Sequence, residues 1–186
     1  MKSIGLYLLA ASFFALPLQA QLTKPEATST EQLMNSVQER NEPRAQSILH
    51  SYPIRNVGPV TMSGRVSDIA VHPDTARIFY VGFGSAGIFK TTNGGATMQP
   101  VFDNQGGAMG IGDIAISNSN PNIIWAGTGE NNSSRSTYAG TGVYKTTDAG
   151  NTWMLMGLEG TQHIGRIIIH PENPDVVWVG SMGALY

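Results

Sequence analysis

The chain has 186 residues, enough for one domain with its own core. Only 13% of the residues are charged and the formal net charge is −2, which argues against a nucleic-acid-binding surface and a polyelectrolyte tail. Cysteine is absent, so disulfides, thiolate metal sites and cysteine nucleophiles are excluded. We expect no cofactor and no bound metal.

Residues 1–20 have the pattern of a secretory signal peptide. Lys2 supplies a positive charge, residues 4–18 are apolar, and Leu18-Gln19-Ala20 is an acceptable cleavage site. The apolar run is short for a transmembrane helix, so an uncleaved membrane anchor is the weaker alternative. We therefore expect an exported protein, periplasmic, secreted or on the surface of a bacterium, with no membrane span after cleavage near Gln21.

Residues 21–53 are polar and differ in character from the rest of the chain. Ser29 or Thr30 is a suitable N-cap for a helix over 30–40. Pro43 is expected to break or restart this helix, and Pro53 to end the region. The sequence predicts a helical or irregular lead-in outside the main fold.

From residue 54 the chain changes character, and from residue 64 it repeats. One pattern is shared by three segments, GRVSDIAVHP, GIGDIAISNS and HIGRIIIHPE. Each segment has a polar or charged residue at one equivalent position, and twelve residues after it each copy has an aromatic residue, a small residue and glycine. The shared positions are Asp68, Asp113 and Arg166, and the aromatic residues are Tyr80, Trp125 and Trp178. Three copies in one register indicate a structural repeat.

Each full copy divides into four short β-branched or aromatic runs separated by turn residues. Four strands over about 45 residues are typical of a β-propeller blade, whereas a β-helix has shorter repeats and a sandwich does not repeat. We predict an all-β fold over 54–186, with blade 1 at about 64–109, blade 2 at about 110–162 and an incomplete blade 3 from 163. Since propellers close with four to eight blades, we expect an N-terminal piece of a larger propeller, which would pack against its remaining blades.

Blade 2 contains an insertion. Gly82 and Lys90 are eight residues apart, whereas the equivalent Gly127 and Lys145 are eighteen apart. The ten extra residues lie in GTGENNSSRSTYAG, 127–140, between the second and third strands. This polar, glycine-rich segment is expected to be an exposed loop.

Residues 146–153, TTDAGNTW, fit the Asp-box pattern Ser/Thr-x-Asp-x-Gly-x-Thr-Trp, and residues 91–98, TTNGGATM, are a degenerate copy. The chain thereby resembles sialidases, xyloglucan-cleaving glycoside hydrolases and sortilin-type propellers. With RNVGPVTMSGRVSDIAVHP and the GTGENN loop, residues 54–186 are most similar to exported bacterial proteins named "glycosyl hydrolase, BNR repeat", which carry a sortilin-like propeller.

Turn chemistry favours a structural role for Asp148. A short Asp or Asn accepts backbone N–H bonds within a hairpin, glycine supplies a positive φ, and Trp153 is expected to pack between sheets. Asn93 can do the same as Asp148 but cannot act as a general base. The resemblance also implies that the Asp box faces away from a substrate. We assign structural roles to Thr91, Asn93, Gly95, Thr97, Thr146, Asp148, Gly150, Thr152 and Trp153.

Ligands of propellers usually meet the loops between the second and third strands and between blades. Residues expected there as ligand contacts are Arg65, Glu130, Asn131, Asn132, Arg135 and Arg166. Glu130 could bind a sugar hydroxyl, a peptide amine or Ca²⁺, or it could belong to an ordinary capped loop.

Asp68 and Asp113 are candidate catalytic residues, because two close carboxylates can shift each other's pKa and act as acid and base. The alternative is that Arg65 and Arg166 neutralise them in a ring of ion pairs. The resemblance implies one further test. In the xyloglucan-cleaving enzymes the catalytic base is an Asp after the second strand of the first blade, and Gly84 stands at that position.

Three functional hypotheses follow. The first is a secreted propeller that binds peptide or glycan. The second is a glycoside hydrolase with some of its carboxylates in further blades. The third is a non-catalytic propeller joined to a downstream domain.

Overall fold

A computed structural model describes residues 28–52, 64–104, 107–132 and 137–184. The predicted signal peptide, Pro53 and Arg135 lie outside these ranges. Within the ranges, no helix has the length and apolar character needed to cross a membrane.

The lead-in contains helix α1, Thr30–Gln46, followed by a 3-10 turn at Ile48–Ser51. Ser29 and Gln32 cap α1 reciprocally, since the Gln32 N–H donates to Ser29 Oγ (3.2 Å) and the Ser29 N–H donates to Gln32 Oε1 (2.9 Å). The expectation that Pro43 interrupts the helix is wrong, because α1 runs through it to Gln46. The proline ring has a helical φ, so near the end of a helix it mainly costs one backbone hydrogen bond.

The remaining described residues form three antiparallel sheets, with strands adjacent in the order of the chain. Sheet one consists of β1 (Val66–Val71), β2 (Phe79–Phe83), β3 (Gly87–Thr91) and β4 (Gln99–Pro100). Sheet two consists of β5 (Ile111–Ile116), β6 (Ile124–Thr128), β7 (Val143–Thr146) and β8 (Met154–Gly157). Sheet three consists of β9 (Ile164–Ile169) and β10 (Val177–Ser181). These are blade-like sheets, and the predicted all-β fold class is confirmed.

The register of the strands agrees with the alignment of the repeats. Asp68 pairs with Gly82, Asp113 with Gly127, and Arg166 with Gly180. The first two strands of every blade therefore pair the same positions of the repeat. We call the first strand of each blade its inner strand. An irregularity in the register near the start of the inner strand also recurs in all three sheets.

The core lies between the blades. Phe102, fully buried, follows β4 and packs edge-to-face on Tyr144 and Trp153 of blade 2, at 5.3 Å between ring centroids in both cases. A second cluster joins Trp125 and Val143 of blade 2 to Ile164 and Ile167 of blade 3. Burial of apolar area between neighbouring blades thus stabilises the arrangement.

The antiparallel strands give the molecule two faces. We call loop face the one formed by residues 64–65, 84–86, 107–110, 129–132, 137–142 and 158–163. We call turn face the opposite one, formed by residues 72–78, 92–98, 117–123, 147–153 and 170–176. Both Asp-box segments lie on the turn face, and the blade 2 insertion lies on the loop face.

Candidate functional site

The loop face is organised around a buried carboxylate, that of Glu130. Arg65 donates to it twice, from Nε to Oε1 at 2.5 Å and from Nη2 to Oε2 at 2.6 Å. The Glu130 side chain is 0% exposed, whereas that of Arg65 is 44% exposed. This bidentate geometry is the strongest form of an arginine–carboxylate pair, and the hydrogen bond raises the pKa of Arg65. The Glu130 carboxylate is thus closed to solvent, and Arg65 is the exposed member of the pair.

Gly84 makes room for this carboxylate. A Cβ at residue 84 would lie 2.7 Å from Glu130 Cδ and 2.8 Å from Oε1, closer than real contacts allow. The position at which the resemblance led us to look for a catalytic Asp is therefore a glycine packed against a glutamate from the next blade. Any side chain at residue 84 would require Glu130 to move.

The backbone of Glu130 links two more segments. Its N–H donates to the Tyr138 carbonyl at 3.0 Å, which closes the inserted loop on itself. Its carbonyl accepts from Nδ1 of His163, a buried residue that precedes β9, at 2.9 Å. Because a carbonyl oxygen only accepts, Nδ1 of His163 carries the proton. Glu130 thus joins blade 1, its own loop and blade 3.

His163 was missed by the sequence analysis, although the repeat contained a signal for it. Arg65, Gly110 and His163 occupy the same position, immediately before the inner strand of their blade. Arg65 and His163 bind Glu130, and the Gly110 carbonyl accepts from the N–H of Gly129 at 2.8 Å. All three equivalent positions therefore contact residues 129–130.

The neighbouring asparagines differ in their surroundings. Asn131 is half-buried, and its Nδ2 donates to the Gly112 carbonyl at 2.9 Å, which fixes the loop over the start of β5. Asn132 is exposed, and its carbonyl accepts from Thr137 Oγ1 at 3.1 Å. The ring of Tyr138 is half-exposed on the same loop. Among the residues that the structure describes, no group of three or more His, Asp or Glu could hold a metal ion.

Asp68 and Asp113 bind the inner strand of the following blade. The Ile114 N–H donates to Asp68 Oδ2 at 2.8 Å, and the Ile167 N–H donates to Asp113 Oδ2 at 2.7 Å. Each carboxylate therefore joins two blades through a charge-assisted hydrogen bond.

The expected ring of ion pairs is found only in part. Arg166 Nη1 lies 3.3 Å from Asp113 Oδ1, as expected, but Arg65 makes its bidentate pair with Glu130 and not with Asp68. Burial raises the pKa of the Asp113 carboxyl, the bond from Ile167 opposes that shift, and the charge of Asp68 adds to it.

On the turn face, the two Asp-box segments form nearly the same hydrogen-bond network; the one reversed bond is between the side chains, since the Thr152 hydroxyl donates to Asp148 whereas Thr97 Oγ1 accepts from Asn93 Nδ2. In blade 2, Thr152 donates to Asp148 from its N–H (2.8 Å to Oδ1) and its hydroxyl (2.6 Å to Oδ2), while the Gly150 N–H donates to Thr146 Oγ1 at 3.0 Å. In blade 1, Asn93 Oδ1 accepts from the Thr97 N–H at 2.9 Å. The bonds from Thr152 lower the pKa of Asp148 to about 2.

The Asp-box turns also connect neighbouring blades. The Ala149 carbonyl accepts from the Tyr80 hydroxyl and from Lys90 Nζ, both at 2.9 Å, and burial raises the pKa of Tyr80 to about 12. Trp153 Nε1 donates to the Val101 carbonyl at 2.9 Å. Trp125 Nε1 donates to the Pro174 carbonyl at 3.1 Å, so Tyr80 and Trp125, which are equivalent in the repeat, each bond to the next blade, whereas Trp153 bonds back to blade 1. The bonds of Tyr80 and Lys90 to the next blade were not expected from the sequence.

No protein-family model and no curated protein matches the chain. Among solved structures, an ancestral GH74 enzyme aligns with 62% of this chain and 16% of its own, at 23% identity and a TM-score of 0.52. The GH74 xyloglucanase from Xanthomonas campestris aligns with 62% of this chain and 20% of its own, at 16% identity and a TM-score of 0.44. YCF48 from Cyanidioschyzon merolae aligns with 60% of this chain and 34% of its own, at 21% identity and a TM-score of 0.42.

The chain thus spans between 16 and 34% of the length of these structures. Likeness at this level of identity concerns the fold alone, and only the first comparison has a TM-score above 0.5. Together with the three blade-like sheets, it shows that the chain has a β-propeller fold.

Proposed function

We propose that the chain belongs to an exported, sortilin-like β-propeller of the Asp-box (BNR-repeat) type, which binds a glycan on its loop face without cleaving it. The proposal rests on one observation, which is that the candidate carboxylates are already bound by other residues of the chain. Asp68, Asp113 and Glu130 each form a bond that joins two blades. A carboxylate held in this way stabilises the binding face, and it is a poor proton shuttle for a substrate.

The groups that remain exposed suit a neutral, hydroxyl-rich ligand. The side chains of Arg65 and Arg166 are 44% and 69% exposed, while a carboxylate balances each charge. Tyr138 offers half of an aromatic side chain, which can cover the apolar face of a sugar ring. Asn132 adds an exposed amide. Fixed donors beside an aromatic ring favour a glycan, and a peptide is the second ligand class.

The test is a screen of neutral oligosaccharides, including xyloglucan fragments, and of a peptide library, followed by calorimetry. We expect a glycan to bind and Tyr138→Ala to weaken its binding about tenfold, the upper range for an aromatic contact. Tyr52→Ala is the matched control, because Tyr52 is also an exposed tyrosine, at 68% against 51% for Tyr138, but lies in the lead-in. Unchanged glycan affinity in both Tyr138→Ala and Arg166→Ala would contradict the proposal. Binding of peptides and of no glycan would show that the ligand is a peptide.

A glycoside hydrolase is the second candidate, favoured by one observation. Asp113 is buried, its pKa is raised, and the charge of Asp68 contributes to that shift, as expected for a proton donor. The hydrolase hypothesis predicts release of reducing ends from a bound glycan, and loss of that release in Asp113→Asn while the glycan still binds. Binding without release of reducing ends supports the first candidate.

A further inference from the structure

Asn93, in the Asp-box turn of blade 1, is the one asparagine of the sequence that is followed by glycine. The other asparagines precede residues that have a side chain, and at Asn120 and Asn173 that residue is a proline, which has no backbone N–H. The backbone nitrogen after an asparagine can attack its side-chain amide, and glycine hinders this attack least because it has no Cβ. A Cβ at Gly94 would have no atom within 4 Å, so the surroundings of this nitrogen are also open in the fold.

The turn binds both ends of the Asn93 side-chain amide. Its Oδ1 accepts from the Thr97 N–H at 2.9 Å and from the Thr91 hydroxyl at 3.0 Å. Two donors on a carbonyl oxygen stabilise the negative charge that develops there when a nucleophile adds to the carbon, as in an oxyanion hole. Nδ2 donates to Thr97 Oγ1 at 2.9 Å, so a hydroxyl lies beside the group that would leave. The contacts of the amide therefore favour addition to its carbon.

One backbone hydrogen bond opposes the attack. The Gly94 N–H donates to the Arg77 carbonyl at 2.9 Å, and this bond must open before the nitrogen can reach the side chain. Gly94 and Arg77 are both exposed and lie in two turns of the turn face. Because hydrogen bonds of exposed turns open at a low cost in free energy, the fold slows the attack without preventing it.

Blade 2 shows that the same turn accommodates an aspartate. Asp148, the equivalent of Asn93, accepts from the N–H and the hydroxyl of Thr152 and from the hydroxyl of Thr146. These bonds, above all those from Thr152, lower the pKa of Asp148 to about 2, so the turn favours a carboxylate. An aspartate at residue 93 would need only the Thr97 hydroxyl to turn from accepting to donating.

We propose that Asn93 is a site of spontaneous deamidation, by which the degenerate Asp box of blade 1 acquires the aspartate that blade 2 already has. The Gly94 nitrogen forms a bond to Asn93 Cγ, the bond from Cγ to Nδ2 breaks, and the proton of the Gly94 N–H leaves with Nδ2 as ammonia. One water molecule then opens the succinimide ring. Cleavage between Cγ and the Gly94 nitrogen gives aspartate, and cleavage between the backbone carbonyl carbon of residue 93 and that nitrogen gives isoaspartate.

The folded turn selects between these two products. Aspartate preserves the main chain of the hairpin, whereas isoaspartate adds a methylene group to it. That addition would shift the Gly95 N–H, which donates to Thr91 Oγ1 at 3.0 Å, and would remove the side chain that Thr97 binds. We therefore expect aspartate as the main product in the folded chain and a larger share of isoaspartate in the unfolded chain, where these bonds are absent.

Incubation in mildly alkaline buffer, followed by peptide mass spectrometry, tests the proposal. The mass reports the replacement of the amide NH₂ by OH, and electron-transfer fragmentation locates the change and distinguishes aspartate from isoaspartate. Gly94→Ala is the matched variant, because the equivalent Ala149 has a φ of 58° and its N–H donates to the Asn122 carbonyl at 3.0 Å. The blade 1 turn should therefore accept alanine, and circular dichroism checks that the variant is folded.

We expect Asn93 to convert faster than any other asparagine of the folded chain, and Gly94→Ala to slow its conversion about tenfold. Incubation in urea should raise the share of isoaspartate. An Asn93 that stays intact in the folded chain, equal rates in the wild type and Gly94→Ala, or one product ratio with and without urea would each overturn the proposal.

Asn93→Asp supplies the expected product in pure form. Since the turn favours a carboxylate, its thermal unfolding midpoint at neutral pH should be no lower than that of the wild type, and incubated wild-type protein should approach it. A lower midpoint for Asn93→Asp would show that the turn does not accept the product and would also overturn the proposal.

Discussion

The two faces of the propeller use acidic residues in different ways. On the turn face, Asp148 bonds within four residues of itself and stays partly exposed. On the loop face, Glu130 is buried and bonds to Arg65, 65 residues away, and to His163, 33 residues away. The carboxylate of Asp148 therefore stabilises a single hairpin, whereas residue 130 connects three blades, reaching blade 1 through its carboxylate and blade 3 through its backbone carbonyl.

The largest effect that this comparison predicts is that of Glu130→Ala. Arg65 loses its counter-charge but is itself half-exposed, so the main cost is the cavity that the fully buried Glu130 side chain leaves, and we expect a loss of about 2 to 3 kcal/mol in the free energy of unfolding. Urea denaturation measures it. Glu172→Ala, at an exposed acid of the turn face, is the control and should change little. A loss no larger than that of the control would mean that Glu130 does not hold the blades together.

Gly84→Ala should have the next largest effect. The new methyl group would overlap the Glu130 carboxyl group at 2.7 Å and weaken its pairing with Arg65, at a cost of about 2 kcal/mol. Gly160→Ala, with open space around its Cβ, measures the background effect of the same substitution. In a Glu130→Ala background the cost of Gly84→Ala should largely disappear, and additive effects would refute the contact as its cause.

On the turn face, Asp148→Ala should cost about 1 kcal/mol, because Thr152 loses both of its acceptors. Asp148→Asn should cost less, since Asn93 accepts the equivalent bond in blade 1. Thermal unfolding of the two variants measures the difference. Equal losses in both would show that the turn depends on charge and not on an acceptor.

The smallest expected effect is a difference in how stability depends on pH between a variant of Asp148 and a variant of Asp113. The pKa of Asp148 is lowered to about 2, so its stabilisation is complete above the unfolded value of about 3.9 and is lost as pH falls through 2. The pKa of Asp113 is raised, so its ionisation opposes folding and protonation in acid removes that penalty. Unfolding midpoints from pH 6 to pH 2 should therefore fall less steeply in Asp148→Asn than in the wild type, and more steeply in Asp113→Asn. The same slope in all three proteins would contradict both assignments.

Much of the fold follows from local sequence. The blade repeat, the pairing of Asp68 with Gly82 and of Asp113 with Gly127, and the position of the insertion depend on strand period and turn residues, which act over a few residues. The capping of α1 by Ser29 is local in the same sense, whereas its continuation through Pro43 was not expected. The sequence around Pro43 does not show whether the last helical turn, up to Gln46, keeps enough backbone hydrogen bonds to stay helical.

For the candidate site, the role of these residues as ligand contacts stays a prediction, and their pairings were not expected. Arg65 was considered as a partner of Asp68, and Glu130 either as a ligand contact or as part of an ordinary capped loop, whereas the structure pairs the two with each other and adds His163, which was missed. The choice between these partners depends on which side chains meet when two blades pack, and no period or motif encodes that contact.

By itself, the sequence determined the blade, its four-stranded hairpin order and the turn chemistry of the Asp box, because hydrogen bonds between near neighbours decide these features. Only the tertiary structure decided that Glu130 lies under Arg65 against Gly84 and that His163 completes the same cluster. These outcomes depend on how neighbouring blades pack, where burial and the distance between residues far apart in the chain set the energy.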